Sequence, residues 1–180
     1  TWRIRRKTGV QVQIPEKKVQ NSFQQALNHL DMCRVDIEQT EFPTPGPSSG
    51  YHRWFDRDVI DMIEAYDING EHERVERMLE NYALKPVTQE SAGMLLWLLE
   101  RHFDMSRNNE WLERVFPIVE RNMTWLMPSW LNERDDNDGL LKSNQVGDNE
   151  CAKGHYVSYH IYAAVGARAG VYLADVSGRK

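Results

Sequence analysis

The chain has 180 residues, with 22 Lys plus Arg against 27 Asp plus Glu and a formal net charge of −5. At 41% hydrophobic it is too apolar for a disordered chain, and its mild acidity argues against a nucleic-acid surface, which needs a basic stripe. No run of about 18 apolar residues exists, so no membrane helix is expected; Cys33 and Cys151 fit no zinc pattern and no readable disulfide framework.

No basic stretch followed by an apolar one marks a signal peptide, and a cytoplasmic location is the expectation. Six Trp and seven Tyr are many for this length. The chain opens at Thr1 without Met and stops at Arg179-Lys180, just past a predicted helix; it is read as a processed chain or a piece of a larger protein.

Thr1 to Ile14 alternates weakly through Trp2, Ile4, Val10, Val12 and Ile14, which predicts a short strand pair or an extended lead-in over residues 1–16. From Pro15 the pattern is helical. A first helix is expected over about Lys17 to Glu38, on Val19, Phe23, Ala26, Leu27, Leu30 and Cys33. The Pro- and Gly-rich stretch Glu41 to Gly50 stops it. A second helix covers about Asp56 to Asn69, where Asn69-Gly70 is a stop signal, and a third about Glu71 to Leu84. A fourth starts near the N-cap candidate Thr88 and is apolar nearly all round from Met94 to Phe103, which predicts burial. A fifth follows Asn108, with Pro117 expected to kink it or lie near its first turns, and ends in a long loop from Pro128 to Lys153. A sixth, small-residue-rich and expected to be buried, covers about His155 to Val176.

Helix after helix with no convincing later strand predicts an all-α chain of stacked antiparallel hairpins over residues 17–180. Alternating directions put the first-to-second, third-to-fourth and fifth-to-sixth connections at one end. Two of these are long, and the second, fourth and sixth helices begin there with free N–H groups. Loop asymmetry therefore selects Gly50 to Asp58, Val87 to Ser91 and Asp138 to His155 as the functional face.

On that face Tyr51, His52, Arg53, Trp54, Arg57 and Asp58 suit a sugar. Aromatic rings stack on its C–H face while Arg and Asp bind hydroxyls in pairs; a plain helix cap with a nearby ion pair is the alternative. Gln89 and Glu90 reach the same pocket unless they form a solvated first turn. The acidic run Asp135 to Gly139 fails as a calcium loop, since placing Gly139 at the invariant glycine leaves Arg134 and Gln145 at the first and last ligand positions; a solvated turn is the reading. Asp148 and Glu150 precede a buried helix and fit a general acid with a supporting carboxylate, or an N-cap. His155 and Tyr156 are further substrate ligands, and His160 is a helix-face residue. Asn122-Met123-Thr124 is a glycosylation sequon inside a predicted helix. No metal site and no cofactor are expected, and no phosphate loop or nucleophile elbow is present.

The stretch Trp54-Phe55-Asp56-Arg57-Asp58, continued to Gly70, resembles the six-hairpin glycosidases, the (α/α)6-barrel enzymes that include glucoamylases, trehalases and amylo-1,6-glucosidases. The likeness extends over Ser91 to Glu100 with its Leu96-Trp97 pair, over Asn109 to Trp125, over Asp138-Gly139-Leu140-Leu141, and over Gly154 to Ala174. It implies hydrolysis of glycosidic bonds, α-glucoside in type and at a chain end. It assigns Arg57 and Asp58 to sugar hydroxyls and Glu150 to the general acid. Asn149 stands where the family carries a Trp beside that acid, which leaves Asp148 as a rival. The family barrel has twelve helices and the periodicity finds six. The resemblance thus implies the first half of a barrel, with the remaining half on another segment or chain and an upstream β domain before the lead-in. A carbohydrate is the expected partner; nucleic acid and membrane are not. Two other readings stay open: a non-catalytic carbohydrate-binding toroid, and a polysaccharide lyase or sugar epimerase in which His52, His155 and Tyr156 carry the chemistry.

Overall fold

The computed structural model describes residues 9–37, 39–48, 50–52, 55–82, 88–132, 134–136, 138–141 and 156–179, and the backbone alone at Trp130. It is mostly helical, and the chain divides into two compact units, Thr1–Tyr82 and Ala83–Lys180. No described helix is long and apolar enough to cross a membrane.

Of the strand pair or extended lead-in expected over residues 1–16, no strand forms among the described residues 9–16. Val10 donates its N–H to the Asn69 carbonyl at 2.5 Å and Ile14 donates to Gln20 Oε1 at 2.7 Å, so these donors are spent on helices rather than on a neighbouring strand. Helix α1 spans Lys17–Met32 and stops six residues short of its expected end. The reason is a hairpin hidden in the helical reading. Strand β1, Arg34–Ile37, pairs antiparallel with β2, Thr40–Pro43, so that Val35 faces Phe42. The tight turn is set by Asp36, whose carboxylate accepts the N–H of Gln39, a residue held at φ 68. Phe42 is buried against Tyr82, edge to face at 6.5 Å, and β2 packs on the two helices that follow.

Helix α2, Asp56–Ile68, buries Val59, Ile60, Ile63 and Tyr66 on one stripe. Asn69-Gly70 ends it as the sequence predicts. Gly70 takes φ 81 and donates to Asp67 O, while Glu71 donates to Tyr66 O, a Schellman closure that satisfies the last carbonyls. Helix α3, His72–Glu80, buries Val75, Met78 and Leu79. Arg74 ties the unit together. Its guanidinium lies 3.9 Å from the Tyr66 ring centroid, and its Nη1 donates to Asp31 at 2.9 Å and Glu71 at 3.0 Å.

Among its described residues the second unit has three helices. Helix α4, Gln89–Ser106, opens with the expected Thr88 cap: Ser91 donates its N–H to Thr88 Oγ1, and the Thr88 N–H donates to Ser91 Oγ. Its buried residues run from Gln89 through Leu99 to Phe103 and cover all its faces, so it is the central helix. Helix α5, Asn109–Asn132, runs through both Pro117 and Pro128, so the helix covers the first five residues of the loop expected from Pro128. Both prolines are exposed, as are Glu113 and Thr124, whose carbonyls lose their helical donor and face water instead. Helix α6, Val157–Val176, is buried along Tyr159, Ala163, Gly166, Ala169, Gly170 and Leu173 only. Val157, Ile161 and Val171 are exposed, so the helix is not enclosed as expected.

The small residues of α6 have one clear use. A methyl built on Gly93 overlaps the carbonyl of Tyr162, and one built on Gly166 overlaps the Gly93 backbone, so α4 and α6 touch main chain to main chain. They run parallel, with Glu100 accepting both guanidinium arms of Arg168 at 2.7 Å and Tyr172 donating to Asp104 at 2.8 Å. Gly93→Ala and Gly166→Ala are each expected to cost about 1–3 kcal/mol, because rigid backbone must move. Gly170→Ala should cost less, since the atoms nearest its methyl belong to the flexible side chain of Met123. Urea titrations measure this, and equal midpoints for all three variants would remove the backbone contact as the constraint.

Candidate functional site

The sequence-selected residues of the first unit gather at the start of α2. Phe55 is the N-cap in extended conformation, and no side chain caps the helix. Asp56 and Asp58 instead lie in its first turn, where their charge meets the positive end of the helix dipole. Arg57 and Asp58 are half-buried there. Tyr51 is 53% exposed, with its ring stacked on Phe55 at 5.9 Å between centroids, so one of its faces is taken and the other is open. His52 is exposed, with Nε2 2.6 Å from the Arg34 carbonyl, which ties this loop to β1. Arg53 and Trp54 lie outside the described residues.

Farther along α2 the carboxylates crowd. Asp61 sits one turn from Asp58 and from Glu64, and its carboxyl is pushed above the ordinary range by partial desolvation, then by the charges of Glu64 and Asp58.

In the second unit, Gln89 and Glu90 are 3% and 5% exposed, so the first turn of α4 is not the solvated one that competed with the functional reading. Gln89 donates from Nε2 to Ser129 Oγ at 2.8 Å, a partner near the end of α5 that only lies within reach because α5 continues through Pro128. Because α4 and α6 run parallel in near register, the first turns of both lie at the same end of the unit. There Tyr156 caps α6, its ring 6.0 Å from that of Tyr159. His160, read as a helix-face residue, is half-buried one turn on, and its Nε2 has no hydrogen-bond partner among the described residues. This end therefore combines a buried carboxylate, a buried amide, a hydroxyl, two phenols and an imidazole. Such a set can bind hydroxyls, position a water or exchange a proton. The run 142–155, with Asp148, Glu150 and His155, lies outside the described residues.

Two minor motifs resolve. The acidic run is a self-closed turn: Gly139 at φ 70 donates to Asp135 O, Asp135 donates to Leu140 O, and Leu140 donates to Asp138 Oδ1 at 2.8 Å. The sequon asparagine, Asn122, is fully buried and donates to the Ile118 carbonyl at 2.8 Å, which denies it to a glycosyltransferase once the chain is folded.

A raised carboxyl pKa means that the folded state disfavours the charged form, so stability is lost as pH rises through the folded value. Asp61→Asn should therefore raise Tm at pH 7, with the gain fading as pH falls and gone below the ordinary value of 3.8. A gain that persists unchanged in acid would contradict the charge crowding.

No protein family, curated protein sequence or solved structure matches this chain.

Proposed function

We propose that the chain is part of a glycoside hydrolase of the (α/α) toroid type, acting at the ends of α-linked glucose-type saccharides. The observation that carries this reading is the shared end of α4 and α6. Two buried polar side chains, Gln89 and Glu90, open one helix, and Tyr156 opens the other. The segment bearing Asp148 and Glu150 joins α6 directly at that end. The motif at Trp54 to Asp58 adds support through its likeness to six-hairpin glycosidases.

The chemistry then divides as follows. Glu150 protonates the glycosidic oxygen as the sugar–oxygen bond breaks, and Asp148 supports it. Beside it in the second unit, Gln89, Glu90, His155 and Tyr156 bind sugar hydroxyls. In the first unit, Arg57 and Asp58 hold sugar hydroxyls in bidentate pairs, with Tyr51, His52, Arg53 and Trp54 next to them. An inverting enzyme needs a second carboxylate about 6.5–9.5 Å from the acid to activate water. We assign that base to the helices completing the toroid.

The test is hydrolysis of an aryl α-glucoside series by the protein and its Glu150→Gln variant. Loss of a general acid should slow poor leaving groups by about 10²–10⁴-fold and spare activated ones. Uniform rates across the series in Glu150→Gln and in Asp148→Asn would overturn the assignment, and products absorbing as unsaturated sugars would turn the reading to a lyase.

A further inference from the structure

A second polar site lies in the first unit, at the opposite end of α2 from Arg57 and Asp58. A cavity of about 640 Å³ opens between the β-hairpin and α3, and one of about 270 Å³ continues it. The two share Glu41, Arg74 and Arg77 and so form one trough. At its wide end Gly9 and Gly70, both at positive φ, present backbone instead of side chains. The thirteen residues of α2 separate this end from Arg57 by about 20 Å at 1.5 Å per residue.

The charges of the trough are largely spent on each other. Arg34 pairs with Glu41, and Arg74 pairs with both Asp31 and Glu71. What remains is Glu73 and Arg77, one turn apart on the exposed rim of α3, neither with an ion-pair partner among the described residues. The narrow end adds Gln39, Thr40 and Asn81, neutral donors and acceptors. The floor is rigid, because Tyr66, Asp31 and Glu71 clamp the Arg74 guanidinium, whose Nη2 still lacks an acceptor among the described residues.

The carboxylates repel an anion and the guanidinium groups repel a cation. A neutral ligand with many hydroxyls meets neither penalty, and vicinal diols match the paired oxygens and N–H groups of carboxylate, guanidinium and amide. The elongated, two-part shape suits a ligand longer than one ring. We propose that this trough binds a neutral oligosaccharide, separately from the saccharide site at the start of α2 and independently of whether the chain hydrolyses anything.

The experiment is a titration of the ¹⁵N-labelled chain with maltotriose, cellotriose and mannotriose, with inorganic phosphate in parallel. Saturable shifts at the amides of Gln39, Thr40, Gly70 and Glu73 with at least one trisaccharide are the expected result, weakened about tenfold or more in Arg77→Ala and in Glu73→Ala. Both side chains are exposed, and circular dichroism checks that each variant folds. The proposal is overturned if no trisaccharide moves those amides, if phosphate moves them more, or if binding survives both substitutions. Shifts confined to residues 55–60 would report the other site and equally overturn the trough, while a failed hydrolysis assay would leave this titration unaffected.

Discussion

The second unit depends on a place where there is no side chain. Gly93 and Gly166 let the main chains of α4 and α6 come into direct contact, and the rest of the packing follows from that distance. With the axes so close, Glu100 reaches Arg168 and Asp104 reaches Tyr172. The same closeness turns Ala163 and Ala169 into core residues and leaves the larger Val157, Ile161 and Val171 on the outer side. Helix α5 then fits against the pair, with Met123 filling the space left by Gly170 and Trp111 buried at its base. At that same end, Arg179 closes the arrangement by gripping Glu113 and lying 3.9 Å over the Phe116 ring.

The first unit is held by a polar knot instead. Arg74 joins α1 to α3 through Asp31 while covering Tyr66, whose burial pushes its phenol pKa upward. The buried carboxylate of Asp67 meets His72 at 2.6 Å across the turn between α2 and α3. A core of this kind is specific rather than cheap: each charge is tolerable only while its partner is in place.

Much of this was legible in the sequence where periodicity and punctuation agree. The stop at Asn69-Gly70, the Thr88 cap and the burial of α4 rest on strong local signals and hold. The failures share a cause: the deciding interaction is not local. Arg34-Val35-Asp36-Ile37 continues the spacing of α1, and only its pairing with Thr40–Pro43 reveals a strand. Pro128 reads as a breaker because water can satisfy the freed carbonyl only if that face is exposed, which the sequence does not say. The small residues of α6 announce a close contact but not how far round the helix it extends. At the candidate site, the place of Gln89, Glu90 and Tyr156 at helix starts was legible from the apolar runs that follow them. Ser129 was not, since it was assigned to a loop, and His160 carried no spacing signal. The trough in the first unit was invisible for the same reason, because its walls come from a hairpin that the pattern concealed.

The glycine contact also has a kinetic side. Glu100 and Arg168, which bridge the two touching helices, are 68 residues apart in the chain. For a small helical unit this is a distant pairing, and a loop containing all of α5 must close before any of its stabilisation is realised. Local helix formation cannot supply it, and a unit with hairpin contacts alone lacks its tightest interface. Loop closure therefore adds to the folding barrier of this unit an entropic cost that helix propensity does not offset.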